Sequence, residues 1–404
     1  MTAGPGRHEA AHQLRLFAPK PINVERAQGA WLWTDDGRKI LDLGGASHGA
    51  ANVGHAHPRV VQAIQEQAAR VLHLPATVPS MARDQFLDRL HGFAPAHLAR
   101  SFLSNGGTEG IEAALKFAMA ATGRTRLVAA RNAFHGRTLG SLAVTHRPQY
   151  RKPYESVLAP ADFVALNDEA ALEAAVTDQT AAIILEPIQG EGGVVPATAA
   201  YLRAAQRVAH AHGALLIVDE VQTGLGRTGH DLAHTVAGIR PDLLVLGKSI
   251  AGGLPLAATL LTEDVAAKLQ PGTHGSTFGG SPIACAAGVA ALDVLREENL
   301  SSRAASEGQR LLDRFRNADV PLVREVRGAG LMIGLDLRIK PQPALDRLLA
   351  RGFLALPAGN TVLRLLPPLV TARADLEAAA TAIQEVLRDP GLRPDAPSTR
   401  EEPA

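Results

Sequence analysis

The sequence predicts an α/β fold built on a mostly parallel sheet, and three observations predict it. Short aliphatic runs recur through the middle of the chain: "RLVAA" from Arg126, "AAIILEP" from Ala181, "GALLIVDE" from Gly213 and "PDLLVLGKS" from Pro241. None alternates apolar with polar residues, as suits strands covered on both faces. Each run is flanked by glycine, proline or charge, and helical patterns lie between them, so the repeating unit is βαβ and the core is doubly wound.

Taken in order, residues 1 to about 20 are rich in Pro, Ala and charge without an apolar period, and this end is expected to fray. The strongest helix signal is "SNGGTEGIEAALKFAMAATG". There Thr108 can cap, Glu109 sits in the first turn, Ile111, Ala114, Leu115, Ala118 and Met119 share a face, and Gly123 can close the helix. Gly106 and Gly107 let a ligand approach the helix N-terminus, whose free N–H groups suit an anion; a capped surface helix after a turn explains the same residues. The tail "RDPGLRPDAPSTREEPA" is expected to be mobile like the N-terminus.

Composition narrows the function classes. A chain of 404 residues with 46% hydrophobic residues buries a large core, and 41 Lys+Arg against 40 Asp+Glu leave a net charge of +1. With no dense basic block, nucleic acid and anionic membranes are poor partners and small molecules better ones. The single cysteine, Cys285, rules out an internal disulfide and lies on an apolar helix pattern, as a small core residue does. The start "MTAGPGRHEAAHQ" lacks a signal-like apolar segment and no apolar run reaches membrane-spanning length, so a soluble cytoplasmic enzyme is expected.

Three of the aliphatic runs end in a polar group: Glu186, Asp219 and Lys248. Ligands of open parallel sheets gather beyond the carboxyl ends of the strands, so these side chains are expected to share a crevice. A phosphate-loop reading of "LGKS" fails because Asp242 stands where the first glycine is required. "GLGRTG" at Gly224 matches a dinucleotide fingerprint in letters, but "DEVQT" separates it from the strand. His55 and His57 lack a third ligand at metal-binding spacing and read as a loop, so no metal is expected. Asp219 could merely cap the next helix. A lysine at the mouth of a strand is costly unless paired, neutralised or used covalently. Pyridoxal phosphate needs such a lysine for its aldehyde, a carboxylate for its ring nitrogen and a helix end for its phosphate.

The motifs "SNGGTEGIEAALKFA", "FHGRTLGSL", "EPIQGEGGV", "VDEVQTGLGRTG", "LGKSIAGGLPLAA", "GSTFGGSPIACAAG" and "LRLLPPL" together resemble the class III, fold-type I, pyridoxal-phosphate-dependent aminotransferases, in family order over roughly residues 20–388. Within that family the chain is most similar to the acetylornithine branch, and to members handling aminoadipate or glutamate semialdehyde held on an amino-group carrier protein. The resemblance implies a large cofactor domain over 53–300 and a smaller α+β domain built from residues 1–52 and 301–404.

It also implies roles. Lys248 would bind the cofactor aldehyde and move the proton, and Asp219 would pair with the ring nitrogen. Gln222 would bond the phenolic oxygen, and Val221 and Phe134 would cover the ring faces. Glu220 joins this cofactor-binding set. Gly107 and Thr108 would hold the phosphate together with Thr277 of a neighbouring subunit, which makes a homodimer with shared sites. Arg137 would take a substrate carboxylate, Arg364 the α-carboxylate of glutamate or 2-oxoglutarate, and Glu186 would mask Arg364 when an ω-amine reacts. Ser276 would line the substrate pocket and His48 its mouth, where an imidazole can bind a carboxylate or bring pH dependence. Gly106, Gly110, Ile111 and Ser281 depart from the family pattern around the phosphate. The implied reaction moves an amino group between glutamate and a distal semialdehyde, in lysine or arginine biosynthesis, with an acidic carrier protein as a partner. Ornithine or 4-aminobutyrate aminotransferases share the cofactor residues, and a non-catalytic binding protein of the same fold is the other alternative.

Overall fold

In the computed structural model the described residues are 12, 14, 16 and 19–392; the expectations for the first twenty residues and the tail fall mostly outside them. The centre is a seven-stranded sheet in the order Arg100–Ser104, Ala257–Leu261, Leu243–Leu246, Leu215–Asp219, Thr180–Leu185, Arg126–Ala130, Ala161–Val164. The four aliphatic runs are neighbours in it and pair in parallel. Thr180–Leu185 is buried along its whole length, as expected of a strand covered on both faces. Ala257–Leu261 is antiparallel to both neighbours. Its link to the preceding strand, 247–256, is shorter than the dozen or so residues a parallel crossover needs.

The helix Gly107–Thr122 packs against this sheet and ends at Gly123, whose φ of 70° and N–H to the Met119 carbonyl make a left-handed cap. It starts two residues earlier than the capping pattern suggests. Gly106 is the cap, and the Thr108 hydroxyl bonds the hydroxyls of Ser141 and Thr138 instead. The departures at Gly110 and Ile111 are packing features: a Cβ at Gly110 would lie 2.8 Å from Val245 Cγ1, and Ile111 is fully buried. Gly110 lets the helix settle closely on the strand that leads to Lys248, and Ile111 packs in the same apolar cluster as Val245.

Two smaller sheets flank the large one. Val24–Gln28, Trp31–Thr34 and Lys39–Asp42 form a meander, and Phe353–Leu354 joins its edge in parallel with Lys39–Asp42. Val323–Ala329, Met332–Leu337, Val362–Leu365 and Leu356–Ala358 form an antiparallel sheet covered by the helix Leu300–Arg316, on which the helix Arg373–Arg388 packs in turn. A short pairing of Ile188–Gln189 with Val195–Pro196 carries Glu191 in its turn.

Candidate active site

Strand ends build the site. Glu186 follows the last residue of Thr180–Leu185, Asp219 ends Leu215–Asp219, and Lys248 stands two residues beyond Leu243–Leu246. Together with Gly107, Thr108, Phe134, Arg137, Val221 and Gln222 they line a single cavity of about 290 Å³, to which His135, Gly136 and Glu191 also contribute. Neighbouring parallel strands end on one side of the sheet, which is why residues far apart in sequence meet there.

Lys248 is partly buried, at a φ of +48°, and its amine makes no hydrogen bond or ion pair among the described residues. Burial lowers its pKa; Asp219, Glu191 and Glu186 resist that shift and Arg364 adds to it. Asp219 is buried and holds two bonds: Val221 N–H donates to Oδ1 at 2.9 Å, and His135 Nδ1 lies 2.7 Å from Oδ2. Asp219 caps no helix: the bond from Val221 closes a local turn, and the next helical segment, Ala233–Ala237, is preceded by Leu232. His135 is itself fixed by its backbone N–H to Thr145 Oγ1 at 2.9 Å.

The expected pairing of Glu186 with Arg364 does not form. Glu186 accepts the N–H groups of Phe134 at 3.0 Å and Gly190 at 3.2 Å, and burial pushes its pKa up to about 7, with His135 opposing and Asp219 adding to the rise. Arg364, fully buried on Val362–Leu365, donates from Nη1 to Glu191 Oε1 at 2.6 Å and to Gln222 Oε1 at 3.3 Å. The turn between the two short strands carries Glu191 over the arginine, while Glu186 stays at the strand end, bonded to its own loop. Burial alone would raise the Glu191 pKa, but Arg364 and His48 hold it below the usual range.

Glu220 is a second correction. It accepts from Ala233 N, His234 N and His234 Nδ1 at 2.7, 2.8 and 2.6 Å, and does not line the cavity. Successive side chains of an extended segment point to opposite faces, so with Asp219 turned into the cavity, Glu220 turns out of it. Ser276 and Thr277 lie elsewhere too, in a separate cavity of about 390 Å³ with Asn105, Glu109 and His274. Arg137 stands at the edge of the Lys248 cavity with its guanidinium 3.5 Å from the Tyr150 ring centroid and no carboxylate partner among the described residues.

His55 and His57 pair with Asp42 at 2.8 Å and Glu298 at 3.4 Å, and Cys285 is a buried helix residue whose thiol burial pushes up to about 12. "GLGRTG" forms a turn. Its Arg227 is fully buried and donates to the Leu331 and Pro367 carbonyls and to Asn52 Oδ1.

The lining suits a flat anionic aldehyde. A Cβ at Gly107 would lie 2.6 Å from Val221 Cγ1 and one at Gly136 would lie 2.3 Å from Thr108 Oγ1, so the backbone of this wall is bare by necessity. The first N–H groups of a 16-residue helix open beside it, and the amine of Lys248 is unpaired among the described residues. Sequence reasoning missed three lining residues, Gly136 and the two that bring polar side chains, His135 and Glu191. Both lie inside quoted motifs, "FHGRT" and "EPIQGEGG", but nothing in one dimension aims their side chains.

The class-III aminotransferase family profile matches residues 16–387. The chain is 44% identical over 384 residues to the LysW-aminoadipate semialdehyde transaminase of Deinococcus radiodurans, covering 94% of this chain and 89% of that protein. It is 44% identical over 383 residues to the acetylornithine aminotransferase of Mycolicibacterium smegmatis, covering 93% and 96%. Among solved structures, the ornithine aminotransferase of Toxoplasma gondii ME49 matches with a TM-score of 0.87 at 33% identity, over 93% of this chain and 92% of that one. The acetylornithine aminotransferase of Elizabethkingia anophelis matches with a TM-score of 0.82 at 31% identity, over 93% and 96%. The fold is that of the fold-type I enzymes, and the cavity chemistry and the span of the match lead to one conclusion: the chain belongs to the class-III aminotransferases, which use pyridoxal phosphate.

Proposed function

We propose that the protein moves an amino group between glutamate or 2-oxoglutarate and the distal semialdehyde of an N-blocked aminoadipate or glutamate. The observation that carries this reading is a buried arginine, Arg364, bonded to Glu191, a carboxylate that lines the Lys248 cavity. An enzyme that takes a dicarboxylate in one half-reaction and an ω-amine in the other needs an arginine that can be uncovered and covered again.

Pyridoxal phosphate, when bound, supplies an aldehyde that condenses with amines and a ring that draws off the electrons of the adjacent carbon. The chain's own residues do the rest. Asp219, oriented by His135, would hold a proton on the ring nitrogen. Gly107 and Thr108 would receive the phosphate at the helix end. Phe134 and Val221 would confine the ring. Lys248, its amine made less basic by burial, carries the proton to and from the substrate carbon. Arg137 takes a second substrate carboxylate.

A carrier-linked substrate is supported by two cations at the cavity: Arg137, which lines it, and Arg147, which donates to the Glu191 carbonyl at 2.8 Å, make no ion pair with a carboxylate among the described residues. An acidic carrier would find complementary charge there. The relatives named for a LysW-linked substrate, at 44% and 41% identity, point the same way, and an acetylated substrate is the second reading, supported by the acetylornithine relative. We assign Thr277 and Ser276 to the cavity of a second copy, which explains why they sit apart from Lys248 in their own chain. The division into residues 53–300 and the two flanking segments, and a cytoplasmic setting, belong to the same proposal; no helix among the described residues is long and apolar enough to cross a membrane.

The test is the visible spectrum of the purified holoenzyme on adding glutamate alone. Loss of the yellow cofactor colour in the wild type and not in Lys248→Ala supports the assignment. Unchanged colour in the wild type removes glutamate as the donor.

A further inference from the structure

A third polar group stands beside the Arg364–Glu191 pair. His48 Nε2 lies 3.6 Å from Glu191 Oε1, the same oxygen that accepts Arg364 Nη1 at 2.6 Å. The distance to the imidazole is too long for a hydrogen bond, so Arg364 holds the carboxylate and His48 waits next to it. The ring is poised by its own turn. The Ser47 hydroxyl lies 2.5 Å from His48 Nδ1, and when it donates there the Nε2 proton faces Glu191. Ser47 and His48 have φ values of 71° and 62°, in the left-handed region that costs non-glycine residues free energy. The turn Gly45–Gly49 is pressed against the layer that carries Arg364: a Cβ at Gly45 would lie 2.6 Å from the Leu366 carbonyl oxygen, and one at Gly49 would lie 3.5 Å from Arg227 Nε. Arg227 in turn is bonded to Leu331 and Pro367. His48 therefore keeps its station over Glu191.

When the α-carboxylate of a dicarboxylate takes Arg364, Glu191 loses its donor. A carboxylate with limited access to water needs another partner, and the adjacent one is His48 Nε2. We infer that His48 is a positioning residue that receives Glu191 when a dicarboxylate displaces it from Arg364, taking a proton from solvent as it does so. Binding of the dicarboxylate is then proton-coupled, whereas binding of an ω-amine, which leaves Glu191 on Arg364, is not. The inference rests on the proposed function, in which Arg364 is the dicarboxylate site.

The charged groups facing His48 are Glu191 from the short turn, Arg364 from the C-terminal sheet, Lys248 from the cavity floor and Arg227 behind its own turn. Burial lowers its pKa below the ordinary 6.5, Glu191 opposes this, and Arg364 and Lys248 add to it. His48 is neutral at neutral pH while Glu191 stays on Arg364. Transfer of Glu191 to His48, with the charge of Arg364 answered by the ligand, raises the imidazole pKa. The complex binds a proton that the free enzyme does not, so dicarboxylate affinity rises as pH falls through that interval and levels off below it.

Glutarate, a dicarboxylate with no amine to react, is the probe. Its binding to the holoenzyme is measured by calorimetry near pH 6.5 in two buffers of different ionisation enthalpy, and its Kd is followed from about pH 8 to about pH 6. The wild type is expected to take up a fraction of a proton per glutarate and to bind about three- to tenfold more tightly at the lower pH. His48→Gln, which keeps a neutral donor, should bind glutarate with no such uptake and a flat Kd. Glu191→Gln, which keeps His48, should also lose the uptake. Equal uptake in the wild type and either variant, or none in the wild type, overturns the role of His48 and leaves Arg364 as the dicarboxylate site. Absence of glutarate binding to the wild type removes that site, and the inference falls with it.

Discussion

Replacing Glu191 by Gln should make glutamate bind more tightly. Arg364 is fully buried, and its bond from Nη1 to Glu191 Oε1 at 2.6 Å is its shortest; the others, to Gln222 and to the Pro357 carbonyl, are both 3.3 Å. A dicarboxylate must break the first bond to reach the guanidinium. A hydrogen bond to a charged group is worth about 1.5–3 kcal/mol and one between neutral groups about 0.5–1.5 kcal/mol. The amide introduced by Glu191→Gln would keep the shape of the cover and a bond to the still-charged guanidinium but give up the carboxylate's charge, a loss on the order of 1 kcal/mol, which is about fivefold in affinity. The assay is the single-turnover reaction of the holoenzyme with glutamate, followed by loss of the yellow colour, with the half-saturating concentration read from the rates. The ω-amine substrate should gain nothing, because it leaves a buried guanidinium less well answered than before. Glu186→Gln is the control, since Glu186 bonds Phe134 and Gly190 and not Arg364. Unchanged glutamate affinity in Glu191→Gln, or tightening in Glu186→Gln instead, would refute the assignment of the cover to Glu191.

Other expectations are as concrete. His135→Phe removes the ring that holds Asp219 and leaves a buried carboxylate with one backbone donor, so the cofactor-free protein should lose about 3–5 kcal/mol and release cofactor faster, with His135→Asn closer to wild type; thermal melts and cofactor dissociation rates check this. The pKa of Glu186 rises from 4.5 to about 7 on folding, so its charge destabilises the fold progressively between those values and fully above them, by on the order of 3 kcal/mol. The melting temperature of cofactor-free Glu186→Gln, relative to wild type, should therefore be more favourable near pH 8 than near pH 5, and no difference between the two would count against the buried carboxyl. Gly107→Ala drives a methyl into Val221 and should weaken cofactor retention, whereas Gly106→Ser meets open space and should change stability by no more than about 0.5 kcal/mol; equilibrium dialysis and thermal melts separate the two.

Much of the fold was legible because buried parallel strands leave a plain signature. The runs at Arg126, Ala181, Gly213 and Pro241 became adjacent strands, and the polar residues that end three of them met in a single cavity. The antiparallel strand Ala257–Leu261 was not legible as such, since its direction is set by a short link and not by its composition. Within the site, legibility stopped where a side chain's aim depends on a turn. Glu186 and Glu191 stand in one motif, and only the pairing of Ile188–Gln189 with Val195–Pro196 decides which of them covers Arg364. His135 meets Asp219 across 84 residues of sequence, a contact with no local pattern. The outward turn of Glu220, by contrast, is written in one dimension: alternation along an extended chain places it opposite Asp219.

The parallel pairing of Phe353–Leu354 with Lys39–Asp42 sets a timetable for synthesis. Leu41 and Leu43 donate their backbone N–H groups to the Gly352 and Leu354 carbonyls, each at 2.8 Å. Those acceptors leave the ribosome about 310 residues after the donors, which at about 5–20 residues per second is roughly 15–60 s later. Throughout that interval the meander exists with one edge open, able to pair with another nascent chain. A chain stopped before residue 352 never closes that edge, so truncation from the C-terminus should expose a sticky strand near the opposite end of the sequence.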